Sequence, residues 1–76
     1  MKEKQEKYDL VGKIIAYEQG DLDDADTLIL FGELIKNGQA WTLQGHYGRT
    51  AKALIEGGLV SKEGEVDWDA YAKAME

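Results

Sequence analysis

Residues 41–60 read WTLQGHYGRTAKALIEGGLV, and this stretch decides how the rest of the chain is interpreted. Five apolar residues recur in it at the spacing of one helix face: Leu43, Tyr47, Ala51, Leu54 and Ile55. We therefore predict a helix that closes the core with this face. Thr42 is its expected N-cap, and the glycine pair at 57–58 is its expected end.

Gly45 and Gly48 interrupt the start of this helix, where each glycine costs about 1 kcal/mol relative to alanine. Two explanations are open. Either the regular helix begins later, near Tyr47, or a partner helix or a ligand approaches the bare backbone closely at these positions.

Side chains suited to recognition surround the two glycines: Trp41, Gln44, His46, Tyr47, Arg49 and Lys52. Tryptophan, tyrosine and arginine are the residue types that dominate binding hot spots. We predict that these six residues form a contact surface. The alternatives are that Trp41 and Tyr47 pack in the core with a hydrogen-bonded polar tip, and that His46 and Arg49 form a surface cap or an ion pair.

Residues 8–18 predict a first helix, because the apolar positions 10, 11, 14 and 15 follow a helical stripe. Gly20 is placed to end it in the left-handed conformation. A strand is the alternative, since the segment contains Gly12 and several β-branched residues.

Residues 24–36 predict a second helix, with Asp23 as its cap, Asp26 completing a capping-box-like pair, and Asn37-Gly38 as its end. Its core face is expected to hold Leu28, Phe31, Leu34 and Ile35, with Leu30 at the edge. Ile29 falls on the opposite side. Leu30 and Ile29 together hint at a second contact surface, such as a homo-oligomer interface.

The acidic segment DLDDAD at 21–26 invites comparison with a calcium loop. An EF-hand loop opening at Asp21 would need a ligand at Ala25, a glycine at Asp26 and a glutamate at Gly32. The segment fails all three requirements. Helix capping and favourable charge at a helix N-terminus explain it better.

Charge is distributed unevenly along the chain, which carries a formal net charge of −6. Six acidic residues and no base lie between Lys13 and Lys36. This predicts a negative face that is either simply solvated or docks a basic protein or imitates a DNA phosphate track. The same charge disfavours nucleic-acid phosphate and anionic membranes as partners.

The C-terminal part predicts a turn at 61–66, with Leu59-Val60 and Val66 pairing as a minimal hairpin over 59–66. Asp67 is expected to cap a short last helix within 67–76. Its apolar stripe consists of Trp68, Tyr71, Ala72 and Met75. So short a helix must dock its Trp68 face on the body of the protein.

These segments predict an all-α fold, a small bundle of three main helices plus a short C-terminal one, in a single domain over 1–76. Residues 1–7 are expected to be a frayed, charged lead-in. The longest apolar run, at 28–31, is too short for a membrane span, and no apolar segment of a signal peptide follows MKEKQEK. We therefore expect a cytoplasmic protein.

No motif in the sequence indicates a catalytic, metal or cofactor site. The absence of cysteine excludes disulfides, thiolate zinc sites and a cysteine nucleophile. With one histidine, a structural zinc site would need mostly carboxylate ligands, which such sites rarely use. No phosphate-binding loop of the Walker type occurs in the sequence. We expect no enzyme activity, no metal and no cofactor.

The segments KIIAYEQGDL at 13–22 and LFGELIKNGQAWTLQGHYGRTAKALIEGGLV at 30–60 resemble a family of small bacteriophage-encoded proteins of unknown function. The string WTLQGHYGRTAKALIEGG is the most specific part. The N-terminal arm and the Trp68 helix are less typical of that family. The resemblance implies a phage protein made in a bacterial cytoplasm, and it implies no catalytic or ligand residues.

Three functional hypotheses follow. The first is a protein-interaction module of phage origin that binds or modulates a host protein, with a homo-oligomer as its expected assembly. The second is a winged helix-turn-helix DNA-binding regulator, with residues 46–56 as recognition helix, although Glu56 offsets Arg49 and Lys52 there. The third is an oligomer that sequesters a nucleotide or another small ligand between protomers, with Arg49, His46 and Tyr47 supplying charge and stacking.

Overall fold

The computed structural model describes residues 9–43 and 45–74. Within these ranges the chain forms α1 (Leu10–Glu18), α2 (Asp24–Lys36), a 3-10 turn (Gln39–Trp41), α3 (Gly45–Glu56) and α4 (Trp68–Ala74). The predicted all-α fold is confirmed. Residues 1–8, Gln44 and residues 75–76, for which the sequence made predictions, lie outside the described residues.

Local sequence signals set the helix boundaries. Three aspartate side chains accept a hydrogen bond from a backbone N–H of the first helical turn, at 2.8 to 3.0 Å: Asp9, Asp23 and Asp67. Three glycines with φ near +80° follow the helix ends: Gly20, Gly38 and Gly58. The predicted caps at Asp23 and Asp67 are therefore confirmed.

The core is built around α2, which contacts both α1 and the 3-10 turn. Five of its apolar residues are buried: Leu28, Leu30, Phe31, Leu34 and Ile35. They pack with Ala40 of the turn, Tyr47 and Ala51 of α3, and Val60. The prediction that Leu30 belongs to a second contact surface is wrong, because this side chain is fully buried in the core.

The chain after α3 returns across α2. Val60 and Val66 form a single antiparallel bridge, so the predicted hairpin is reduced to one pair. Gly64 in the turn has a φ of +88°, and its carbonyl oxygen lies 2.6 Å from where a Cβ of Gly32 would be. Two glycines facing each other thus let the turn touch the backbone of α2.

Three expectations about side-chain placement are corrected. α3 begins at Gly45 and not near Tyr47, so Thr42 does not cap it. Thr42 instead follows the 3-10 turn, where its hydroxyl donates to the Gln39 carbonyl at 3.3 Å. Leu43 is exposed because it lies in the connection before α3 and not on the core face of that helix.

α4 also docks differently from the prediction. Tyr71 packs against the core, whereas Trp68 remains 46% exposed. The two rings meet edge to face, with centroids 5.7 Å apart. None of the described helices is long and apolar enough to cross a membrane.

Candidate functional site

The turn before α3 holds Trp41 at the protein surface. Gly38 adopts φ +81° and ends α2, and the Asn37 side chain accepts a hydrogen bond from the Gln39 N–H at 2.9 Å. Ala40 is fully buried and anchors the turn in the core. Trp41 comes next and is 52% exposed. A rigid, anchored turn therefore presents a large aromatic side chain to solvent.

The two glycines of α3 lie beneath large side chains of the same chain. A Cβ on Gly48 would be 3.4 Å from the Ala40 carbonyl oxygen and 3.8 Å from Cε3 of Trp41. A Cβ on Gly45 would be 3.1 Å from a guanidinium nitrogen of Arg49. The sequence left open a close approach of a partner or a ligand to the backbone at these glycines. In the structure, the protein's own Trp41 and Arg49 lie there.

Arg49 and Lys52 lie on the exposed face of α3, three residues apart. Because the Arg49 guanidinium folds back toward Gly45, it lies at the N-terminal end of the helix. The helix dipole is positive at that end and does not stabilise a cation there. A carboxylate from another molecule would be attracted by the positive charges of Arg49 and Lys52 and by the positive end of the α3 dipole.

Tyr47 belongs to the core and not to the surface, since it is only 1% exposed. Its hydroxyl donates a hydrogen bond of 2.6 Å to Oε2 of Glu18 on α1. Burial raises the pKa of the Tyr47 phenol well above its ordinary value of 10.0, and the bond to the Glu18 carboxylate raises it further. Tyr47 is therefore a neutral hydrogen-bond donor that joins two helices.

His46 is half-buried among aromatic rings. Its ring lies nearly parallel to that of Tyr17, with centroids 6.1 Å apart, and 4.2 Å from the centroid of Tyr47. Tyr17 in turn meets Phe31 edge to face at 5.4 Å. The imidazole thus extends an aromatic cluster that connects α1, α2 and α3, and it is not a simple surface cap.

The six residues predicted as a contact surface are consequently divided. Trp41, Arg49 and Lys52 are exposed, Tyr47 is buried, His46 is half-buried, and Gln44 lies outside the described residues. Leu43, which the sequence assigned to the core, is exposed beside them. Its position just before the glycine-containing helix start is the sequence signal that could have assigned it to a connection.

Acidic side chains do not form a metal centre in the part of the chain that the structure describes. No group of three or more histidine, aspartate and glutamate residues there is arranged to hold an ion. In the segment at 21–26, Asp23 caps α2, and the backbone N–H of Asp26 is its donor. The segment forms a helix start.

Comparison with known families matches residues 5–76 to a domain of unknown function, DUF7417. The chain belongs to this family. The match covers α4 as well as the central stretch, so the Trp68 helix is part of the DUF7417 domain. Comparisons with curated proteins and with solved structures found no match.

In this DUF7417 domain, the exposed groups around the start of α3 therefore form the candidate site. We define the Trp41 surface as Trp41, Leu43, Arg49 and Lys52. It combines two apolar side chains with two cations on a chain whose net charge is −6. Such a composition is suited to binding another molecule.

Proposed function

We propose that this protein is an interaction module that binds a partner protein through the Trp41 surface. The observation that carries the proposal is the half-exposed indole of Trp41 on a turn that is fixed by Ala40 and by hydrogen bonds. Tryptophan and arginine are the side chains that most often dominate the free energy of binding. Because the turn is already ordered, little conformational entropy is lost when a partner covers it.

The partner's chemistry follows from the side chains of the surface. Trp41 and Leu43 require an apolar contact, while Arg49 and Lys52 require carboxylates beside it. We therefore propose a partner with an apolar patch flanked by aspartate or glutamate. The net charge of −6 repels such a partner elsewhere, which favours contact at this one surface.

The resemblance of residues 13–60 to small bacteriophage proteins supports a setting for this interaction. We propose a phage protein that acts in the bacterial cytoplasm and binds or modulates a host protein. No residue of the Trp41 surface needs catalytic chemistry for that role. Its effect would come from covering the part of the host protein that it contacts.

Self-association is a further part of the proposal. Val11 and Ile15 lie one helical turn apart on α1 and are both exposed. Two such apolar stripes can pack against each other across a two-fold axis. Light scattering of the wild type and of a Val11→Ser, Ile15→Ser variant tests this: a homo-oligomer should dissociate in the variant, and a strictly monomeric wild type would contradict it.

The interaction is tested by affinity capture from a lysate of the bacterial host. Trp41→Ala and Arg49→Ala should each lose the captured protein. The matched controls are Trp68→Ala, which removes another half-exposed tryptophan, and Lys73→Ala, which removes an exposed cation on α4. Equal recovery by all four variants would show that the Trp41 surface is not the binding surface.

A winged helix-turn-helix remains the alternative, because α3 is followed by the antiparallel bridge of Val60 and Val66. The exposed face of α3 then would carry Arg49 and Lys52 to DNA, against the repulsion of Glu56. Binding to random duplex DNA at low salt that weakens as salt is raised would favour this function. Absence of binding at about 50 mM salt would exclude it.

Nucleotide sequestration is supported less well by the geometry. It was based on stacking by His46 and Tyr47, and the structure uses both rings inside the aromatic cluster. Of the three residues assigned to the ligand, Arg49 is the one that is exposed and available for a phosphate. An ultraviolet-absorbing small molecule that co-purifies with the wild type but not with Arg49→Ala would revive this hypothesis.

A further inference from the structure

Trp68 lies between two open hollows on a different part of the surface. One, of about 800 Å³, is lined by the end of α3, the turn at 61–66 and the start of α4. The other, of about 450 Å³, lies between the turn and α2. Three residues line both hollows: Glu65, Val66 and Trp68. We call these three residues, together with Asp69 on the rim, the Trp68 groove.

The walls of the Trp68 groove are held in place by contacts to the body of the protein. The turn rests on α2 where Gly64 meets Gly32. The Ser61 N–H donates to the Glu65 carbonyl at 2.8 Å, and the Glu65 N–H donates to the Ser61 hydroxyl at 3.1 Å. The indole of Trp68 rests edge to face against the ring of Tyr71, with centroids 5.7 Å apart. The groove is thus a preformed feature.

The groove carries negative charge next to an exposed aromatic ring. Three carboxylates, of Glu65, Asp67 and Asp69, line the larger hollow against one cation, Lys62. Asp67 accepts the capping hydrogen bond of Ala70, which leaves Glu65 and Asp69 as the carboxylates for a ligand. In the smaller hollow, Lys36 is paired with Glu33 at 3.8 Å.

We propose that the Trp68 groove binds an arginine side chain presented by a basic segment of another protein. A guanidinium is attracted to the face of an indole and is bonded by carboxylates in the same plane. Trp68 supplies the indole, and Glu65 and Asp69 supply the carboxylates. The apolar floor at Val66 contacts the aliphatic part of the arginine.

This inference goes beyond the Trp41 surface, because the two surfaces select opposite charges. The Trp41 surface presents Arg49 and Lys52, whereas the Trp68 groove presents carboxylates. A failure of one proposal therefore leaves the other intact. The probe for the groove is a short acetylated peptide of alternating glycine and arginine, with matched lysine and glutamate peptides for comparison.

The experiment measures the affinity of the labelled peptides for the whole chain by fluorescence anisotropy. The arginine peptide should bind about threefold more tightly than the lysine peptide, and the glutamate peptide should not bind. Trp68→Ala should weaken binding of the arginine peptide about fivefold, and Asp69→Asn about threefold. In a Trp41→Phe variant, Trp68 is the single tryptophan, and its emission should change on titration.

A matched control separates the groove from general attraction by an acidic protein. Asp21→Asn removes an exposed carboxylate elsewhere on the surface and should change the affinity less than about twofold. Equal weakening by Asp21→Asn and Asp69→Asn would overturn the proposal. So would self-association of the wild type that is lost in both Trp68→Ala and Arg49→Ala, because the occupant would then be a second copy of this chain.

Discussion

The hydroxyl of Tyr47 lies 2.6 Å from Oε2 of Glu18 and donates a hydrogen bond to it, joining α3 to α1 across 29 residues of sequence. No residue of α1 is fully buried, so this helix depends on partial packing and on such links to stay on the body. Tyr47 also contacts the rings of Tyr17, Phe31 and His46. One side chain therefore combines aromatic packing with a bond to a carboxylate.

Removing this hydrogen bond should destabilise the fold. Tyr47→Phe keeps the ring and deletes the donor, so we expect the free energy of unfolding to fall by about 1.5–3 kcal/mol, the range for bonds to charged groups. Glu18→Gln should lower the free energy of unfolding by less, since the amide oxygen of glutamine still accepts a hydrogen bond from the Tyr47 hydroxyl. Urea unfolding of both single variants and the double variant gives the coupling energy, and Glu56→Gln serves as a control. A coupling energy near zero between Tyr47 and Glu18 would show that their hydrogen bond does not stabilise the fold.

Alkaline pH should weaken the wild type more than Tyr47→Phe. Burial, and then Glu18, raise the pKa of Tyr47 in the folded state above its ordinary value of 10.0. Folding therefore favours the neutral phenol of Tyr47. Its contribution to the free energy of unfolding is fully present below the pKa of tyrosine in the unfolded state, and it is lost as the pH rises toward the higher pKa of the folded state. We expect the wild type to lose up to about 1.4 kcal/mol per pH unit above 10 relative to the variant.

This pH dependence is measured by urea unfolding at matched ionic strength on both sides of the unfolded pKa. Because the other ionisable groups are the same in both proteins, their contributions cancel in the difference. Parallel stability curves for the wild type and Tyr47→Phe across that range would show that Tyr47 titrates normally.

Gly32→Ala should be destabilising although it replaces a glycine inside a helix. The new methyl group would lie 2.6 Å from the Gly64 carbonyl oxygen, a backbone atom that must move. We expect a net loss of about 1–3 kcal/mol, as in other overpacked sites. At the control position, Gly45→Ala meets only the flexible end of Arg49 and should stabilise by up to about 1 kcal/mol. Thermal unfolding of the two variants compares them, and equal stabilisation by both would contradict the Gly32–Gly64 contact.

Tyr71 should anchor α4 more strongly than Trp68 does. Tyr71 packs on the core, whereas Trp68 is half-exposed. We expect Tyr71→Ala to cost about 2 kcal/mol, roughly half the value for a fully buried aromatic residue, and Trp68→Ala to cost about 1 kcal/mol or less. Amide hydrogen exchange in 68–74 should rise most in Tyr71→Ala. The reverse order would mean that Trp68 carries the docking, as the sequence pattern predicted.

The residue types in the sequence predict some members of the candidate site, and the three-dimensional structure is needed for the others. The sequence predicts a contact surface that includes Trp41, Arg49 and Lys52, because amphipathic and charged residues surround a glycine-rich helix start, and all three residues are exposed. It grouped Tyr47 with them for the same reason. Tyr47 also lies on the apolar helix face that the sequence predicts, and its burial shows that this face determines its position, with the hydroxyl bonded to Glu18 on another helix.

Local chemistry in the sequence determined the helices of this protein and their limits. The caps at Asp23 and Asp67 and the ends at Gly38 and Gly58 depend on bonds and backbone angles within a few residues, so the sequence pattern contains them. The tertiary structure alone decided that Leu30 is enclosed, that Gly32 receives the backbone of Gly64, and that Trp68 borders a groove. Those outcomes depend on contacts between segments far apart in the chain, and helical periodicity specifies which face is apolar but not which neighbour covers it.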